Sequence, residues 1–182
     1  RQEEQACRLE ALIADLLQLS RLQSQPDKPA LIPISIRDVI NSCVDDHSAI
    51  AQRLKVSVKI GTVCSGRILS DLSSLKTILA NIVSNAIRYN KPNGLVSIST
   101  RECNGLCIVR IEDSGIGIPP EDLERIFERF YRVEKARSQE TGGTGLGLAI
   151  VKHLCQLVTA ELSVKSRLGE GSCFEISFPI PQ

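Results

Sequence analysis

The sequence predicts an α+β domain, one mixed sheet with helices packed on one of its faces. Three observations predict it. Helical stripes dominate the stretch from Ile36 to Tyr89. Strand-like runs then come in neighbouring pairs, at 95–101 with 106–112 and at 161–166 with 172–178. A helix-patterned segment starting near Gly145 lies between the two pairs.

Each element has its own signal. Residues 3–23 read as one long helix, with Leu9, Leu12, Leu16 and Leu19 forming a heptad seam. Ile13, Leu17 and Leu22 widen that stripe into a bundle face, which needs partners to be buried. Pro26, Pro29 and Pro33 then forbid continuous helix and mark a semi-rigid linker over 26–33. The predicted organisation is therefore a bundle helix over 1–25, the linker, and a main domain over 34–182. In that domain Ile36, Val39, Ile40, Val44 and Ile50 give a helix over 36–53, and alternating Val56, Val58 and Ile60 give a strand. A short strand is possible at 67–70. Leu75, Ile78, Leu79, Ile82 and Ala86 face inward from a helix over 72–89, which Pro92 and Asn93-Gly94 end. Asn104-Gly105 is a strong signal for a two-residue hairpin turn. A short helix is expected at 121–129, a long polar loop at 131–144, and a helix carrying Leu146, Ile150, Leu154 and Leu157 after it.

Composition narrows the functional classes. The 182 residues include 22 Lys+Arg and 21 Asp+Glu, a net charge of +1 that argues against a broad nucleic-acid footprint. Aromatics are 3% with no Trp, which disfavours stacking platforms for single strands. No window approaches 18 apolar residues, so no membrane contact is expected within the chain. The opening at Arg1, in mid-helix pattern and without a signal peptide, is expected to belong to a longer protein. The seven cysteines include no C-x-x-C pair, and read as reduced, mostly buried thiols of a cytoplasmic protein. A two-residue turn at Asn104-Gly105 would set Cys103 opposite Leu106 rather than Cys107.

Four clusters carry chemistry. Asn81 and Asn85 are four apart, hence on one helix face, with Arg88 beside them. Carboxamide oxygens are neutral hard ligands that can share Mg²⁺ with nucleotide phosphates, although capping or solvated asparagines would look the same. Asp113-Ser114-Gly115-Ile116-Gly117 ends a strand in which Val109, Ile111 and Asp113 share one face. A buried carboxylate needs donors; adenine's exocyclic amine is one, and guanine offers an acceptor there instead. Asp-Ser-Gly is also ordinary turn chemistry. Phe127 and Phe130 are three apart and could anchor a short helix, leaving Arg129 and Arg132 at the mouth of the long loop. Gly142-Gly143-Thr144-Gly145-Leu146-Gly147 leads into a helix, whose N-terminal amides and dipole favour phosphate. It has neither the P-loop Lys-Ser/Thr nor the G-x-G-x-x-G spacing, and a glycine hinge is the plain alternative.

Taken in this order and spacing, the four resemble the catalytic and ATP-binding domain of bacterial sensor histidine kinases, from about Ile34 to Pro181. "NIVSNAIRYNKPNG" resembles the asparagine box and "DSGIGIPPE" the first glycine box. "FERFYRVEKARSQETGGTGLGLAIVKHL" resembles the phenylalanine box, lid and second glycine box, and "SRLGEGSCFEISFP" the closing hairpin. "RLEALIADLLQLSRLQ" is similar to the second helix of the dimerisation and phosphoacceptor bundle.

The resemblance implies the Bergerat fold, a two-layer α/β sandwich holding ATP and Mg²⁺ under a mobile lid. It implies Asn81, Asn85, Arg88 and Arg132 as catalytic residues, Asn85 as the Mg²⁺ ligand and the other three on the phosphate side. Tyr89 would pack by the nucleoside, and Asp113 would accept from the adenine amine, with Gly115, Gly117 and Ile118 shaping that wall. Phe130 would border the nucleotide, and Gly143, Thr144, Gly145, Leu146 and Gly147 would close over the phosphates. Relatives that hydrolyse ATP carry Glu where this chain has Asn81, which cannot act as a base, so transfer to a side chain is favoured over hydrolysis.

The implied partners are a response-regulator receiver domain and a second copy, joined through the helical bundle. The family's acceptor histidine sits in a His-Glu/Asp…Thr/Asn-Pro setting, which neither His47 nor His153 has, so the acceptor helix is expected outside this chain. The other readings are a nucleotide-sensing module without kinase activity, a Bergerat-fold ATPase of the chaperone, topoisomerase or repair type, and an anti-sigma-type serine kinase.

Overall fold

The computed structural model describes residues 29–133 and 143–181, together with Ile13, Leu17 and Ser20. The leucines of the heptad seam and most of the polar loop, including Gly142, lie outside the described residues. Ile13, Leu17 and Ser20 are helical and exposed.

The chain order is β1 (Ile32–Ser35), α1 (Ile36–Arg53), β2 (Ser57–Ile60), β3 (Arg67–Ser70), α2 (Leu72–Arg88), β4 (Leu95–Cys103) and β5 (Leu106–Asp113), then α3 (Gly147–Leu157), β6 (Glu161–Arg167) and β7 (Gly171–Pro179). Five strands form a sheet in the order β2-β4-β5-β7-β6. Only β2 and β4 run parallel; the other pairs are antiparallel. The sheet is therefore mixed, as the paired strand signals imply.

One face of this sheet is apolar. Val96, Ile98, Val109, Ile111, Phe174, Ile176 and Phe178 are buried on it beneath the three helices. The opposite face carries Ser99, Arg110 and Glu175 side by side, with Arg110 bridging Glu112 at 3.1 Å and Glu175 at 3.4 Å. Such solvated pairs contribute little stability. Period-2 alternation thus fills one layer of core and leaves the other side wet.

The helices obey their stripes. Leu75, Ile78, Leu79, Ile82 and Ala86 of α2 are all buried. Asp71 caps that helix: its Oδ2 accepts from the Ser74 amide at 2.8 Å and from the Ser74 hydroxyl at 2.7 Å. Asp71→Ala is expected to lower stability by about 1 kcal/mol, read as a shift of the denaturation midpoint without a change in slope. The Asn104-Gly105 turn has both residues at positive φ, 51° and 74°, as a type I′ turn requires. Cys103 accordingly faces Leu106.

Three expectations need correction. The linker's last residues, Ile32 and Pro33, belong to β1, which pairs with β3 in a separate two-stranded sheet. Proline is tolerated at such an edge because it lacks only a donor. The helix expected at 121–129 is two 3₁₀ turns, Pro120–Asp122 and Arg125–Phe127. Glu128 is extended there, and the Phe130 amide donates to the Gly145 carbonyl at 2.9 Å, which draws the chain out of helix. Helix α3, expected to start near Gly145, begins at Gly147, because the φ of 75° at Gly145 is left-handed.

The six described cysteines are free; Cys43, Cys107 and Cys155 are buried, Cys64 and Cys173 half-buried, and Cys103 exposed. Burial pushes the thiols of Cys43, Cys107 and Cys155 up to about 11, 12 and 12. They are packing residues and poor nucleophiles. No helix among the described residues is long and apolar enough to cross a membrane.

Candidate functional site

Helix α2 sets one wall of a cleft of about 280 Å³, and the chain around the start of α3 sets the other. Asn81, Ser84, Asn85 and Arg88 line the first wall; Gly143, Thr144, Gly145, Gly147 and Leu148 line the second. Ile126 and Tyr131 close one side. Spacings of three and four along α2 put the four polar side chains on one face. The neighbouring face, with Ile78 and Ile82, is locked into the core and fixes the helix rotation.

The polar wall is internally ordered. Asn81 Nδ2 donates to the Thr77 carbonyl at 2.9 Å, which leaves its Oδ1 toward α3. A Cβ added at Gly147 would lie 2.5 Å from that oxygen, so the two walls approach closely there. Arg88 Nε donates to Ser84 Oγ at 3.1 Å. The Thr144 hydroxyl accepts from the Leu146 amide at 3.3 Å. Tyr131 donates its hydroxyl to Asp122, and Arg125 stacks over the Tyr131 ring at 4.2 Å. Hydrogen bonding to the Asp122 carboxylate pushes the Tyr131 phenol up.

Tyr89 and Arg132 stand at the rim. A Cβ at Gly143 would lie 3.1 Å from Tyr89 Oη and 3.5 Å from Arg132 Nη2. Tyr89 also joins the cleft to the Asp113 loop, since its carbonyl accepts from the Ile116 amide at 3.1 Å.

Asp113 ends β5 beneath that loop, mostly buried. Burial pushes its carboxyl up to about 6, while the backbone N–H groups of Gly115 and Ser172 pull it down and nearby Glu112 raises it further. The Gly115 amide donates to Asp113 Oδ1 at 2.8 Å. A carboxylate with two backbone donors keeps lone pairs free to accept a ligand N–H. Gly115 and Gly117 are buried in backbone contact, against Tyr89 and against Arg167 and Leu168 respectively. The Ile118 amide donates to Ser166 Oγ at 2.8 Å.

The structure therefore brings Asn81, Asn85, Arg88, Gly143, Thr144, Gly145 and Gly147 together in one cleft, with Tyr89 and Arg132 at its edge. Asp113, Gly115, Gly117 and Ile118 form a separate group outside its lining. Two sequence-predicted residues differ. Leu146 is fully buried, so its side chain serves the core. Phe130 is 57% exposed at a φ of 64°, whereas Phe127 packs against the core. Ser84, Ile126, Tyr131 and Leu148 line the cleft without having been singled out. Ser84 was detectable, three residues from Asn81 and four from Arg88. The others are assembled by long-range packing. No cluster of three or more His, Cys, Asp or Glu suited to a metal exists among the described residues.

Residues 70–182 match the family described as histidine kinase-, DNA gyrase B-, and HSP90-like ATPase. The chain belongs to this family. Among relatives of this chain, the sensor-like histidine kinase SenX3 of Mycobacterium tuberculosis is 41% identical over 175 residues, 96% of this chain and 43% of SenX3. The phosphate regulon sensor protein PhoR of Pseudomonas aeruginosa is 32% identical over 176 residues, 97% of this chain and 40% of PhoR. The chain thus spans less than half the length of these relatives. Among solved structures, full-length ShkA in complex with AMPPNP aligns with a TM-score of 0.81 at 28% identity, over 95% of this chain and 36% of that one. The mycobacterial sensor histidine kinase MprB aligns with a TM-score of 0.70 at 27% identity, over 82% of this chain and 97% of that one. The ATPase domain here has the Bergerat fold of these histidine kinases: a mixed sheet with helices on one face.

Proposed function

We propose that the chain is the Mg·ATP-binding catalytic module of a protein-histidine kinase in a two-component system. It would transfer the γ-phosphoryl group to a histidine on a helix of the longer protein, for relay to a response-regulator aspartate. The observation that carries this reading is the cleft itself: Asn81, Asn85 and Arg88 on one face of α2 oppose the glycine-bearing start of α3.

Each residue then has a task. Asp113 accepts the adenine amine, and Gly115 and Gly117, packed against the Tyr89 and Arg167 backbone, hold the loop beside it in place. Asn85 presents a hard carboxamide oxygen, a donor that suits Mg²⁺ together with phosphate oxygens and water. Bound there, the ion would neutralise developing phosphate charge. Gly147 and Leu148, the first residues of α3, line the same space, and a helix N-terminus favours anionic oxygens. Arg88 and Arg132 add positive charge on the phosphate side. Asn81 has no titratable group to activate water, which favours transfer over hydrolysis.

His47 bonds the Cys43 carbonyl through Nδ1 at 2.7 Å, and neither it nor His153 lines the cleft. Transfer demands an imidazole held near the γ-phosphate, so the acceptor is a different histidine. The N-terminal leucine stripe fits a bundle that pairs two copies, and the module works in the cytoplasm.

Asn85→Ala should weaken Mg·ATP binding roughly tenfold or more while leaving adenosine binding unchanged, because only the phosphate end is coupled to the ion. Calorimetric titration of both ligands checks this; equal losses would make Asn85 a structural residue. With γ-labelled ATP, this chain alone should gain no acid-labile label, whereas the longer protein should. Efficient labelling of His47 or His153 would overturn the reading.

A further inference from the structure

The closing hairpin is stitched to the Asp113 loop through one hydroxyl. Ser166, near the end of β6, accepts from the Ile118 amide at 2.8 Å and donates to the Gly171 carbonyl at 2.8 Å. Its oxygen also lies 2.9 Å from Ser172 Oγ. A hydroxyl has one proton and two lone pairs, so these three contacts use all of it. Because the Ser166 proton is spent on Gly171, the Ser172 hydroxyl must be the donor in the pair.

The surrounding backbone has no slack. The Gly169 amide donates to the Ile116 carbonyl at 2.7 Å. A Cβ at Gly117 would overlap the Arg167 carbonyl, and one at Gly171 would overlap the Asp113 carbonyl. Asp113 and Ser172 are paired across β5 and β7, and the Ser172 amide is one of the two backbone donors to the Asp113 carboxylate. Ser166 thus touches both ends of the wall: Ile118 at the end of the glycine loop and Ser172 beside the carboxylate.

We propose that Ser166 is a positioning residue for adenine recognition, holding Ser172 and the 114–118 backbone at the spacing Asp113 needs to meet an exocyclic amine. This rests on the reading that Asp113 is the adenine acceptor. Ser166 need not touch the nucleotide. Its role predicts an effect confined to the base end of the ligand, since the phosphate side is built from α2 and α3, whereas the Ser166 hydroxyl bonds Ile118, Gly171 and Ser172.

The test compares wild type with Ser166→Ala, Ser166→Thr and Asp113→Ala in this chain, titrating adenosine, Mg·ATP, Mg·GTP and Mg·tripolyphosphate. Ser166→Ala should lose about tenfold in adenosine and Mg·ATP affinity, narrow the ATP-over-GTP preference, and leave Mg·tripolyphosphate within about twofold. Ser166→Thr keeps the hydroxyl and should restore the preference. The pH midpoint of the Asp113 carboxyl, followed by NMR, should move in Ser166→Ala and return in Ser166→Thr. Unchanged adenosine affinity in Ser166→Ala, or equal losses for adenosine and Mg·tripolyphosphate, would overturn the proposal. If Ser166→Ala does not fold at 25 °C, Ser166→Cys, with its weaker donor and acceptor, takes its place with the same readouts. If Asp113→Ala leaves adenosine binding intact, the underlying reading of Asp113 fails; if it abolishes binding while Ser166→Ala does not weaken it, only the inference about Ser166 fails.

Discussion

Asp113→Ala should weaken adenosine and Mg·ATP binding by roughly 10- to 150-fold, the range of a hydrogen bond to a charged group worth about 1.5–3 kcal/mol. Mg·GTP should lose far less, because guanine presents an oxygen where adenine presents its amine. Competition calorimetry with both nucleotides checks this, and equal affinities in the wild type would remove the basis for the role. The same carboxyl sets a pH dependence. Burial raises it to about 6 in the folded domain from its usual 3.8. An amine donor favours the ionised form, so ATP affinity should fall as pH drops below about 6, and Asp113→Ala should flatten that profile. Stability of the free domain should move the opposite way. A carboxyl whose folded value is raised stabilises the fold when protonated. That contribution is fully present below 3.8 and is lost as pH rises through about 6. Between these limits the free domain gains stability from Asp113 on acidification while the complex weakens.

Gly171→Ala should be the more severe of the two for the fold. Gly171 has a φ of 117°, which L side chains rarely adopt, and an added Cβ would overlap the Asp113 carbonyl oxygen. The obstacle is backbone in a central strand, so no side-chain rotation relieves it. A cost of about 3 kcal/mol or more follows from strain and displacement together. The shift should separate β7 from the end of β5, so base recognition should fall with stability. Thermal denaturation and adenosine titration read the two effects. Gly169→Ala is the control: nothing lies within 4 Å of a Cβ there, so only its φ of 83° is strained, and the loss should be smaller. A Gly171→Ala protein as stable as Gly169→Ala would contradict the close approach.

Burial of a stripe is a local property, which is why α1, α2 and α3 could be read from apolar spacing, and the β4–β5 register from Asn104-Gly105. The polar face of α2 was legible for the same reason: Asn81, Asn85 and Arg88 must share a side of any helix that buries Ile78 and Ile82. Their roles came from resemblance, since asparagines on a helix face specify no ligand by themselves. Other features depend on partners distant in the chain. β1 forms only because β3 lies beside it, about 35 residues on, and four residues containing a proline carry no strand signal of their own. The helical spacing of Phe127 and Phe130 was real, but the Gly145 carbonyl takes the Phe130 amide and outweighs one turn of helix. Leu146 sits among the glycines in sequence, yet packing turns its side chain into the core.

The sequence by itself determined the α+β class, the helix faces, the hairpin turn and the set of polar residues available for chemistry, because each depends on neighbours within a few positions. Only the tertiary structure decided which of those residues share a cleft, how far Asp113 is held from water, and that Ser166 joins the last hairpin to the glycine loop. Those properties arise from contacts between segments some 50 residues apart, such as Ile118 with Ser166, where desolvation and hydrogen-bond geometry are set by the whole packed sheet rather than by any local pattern.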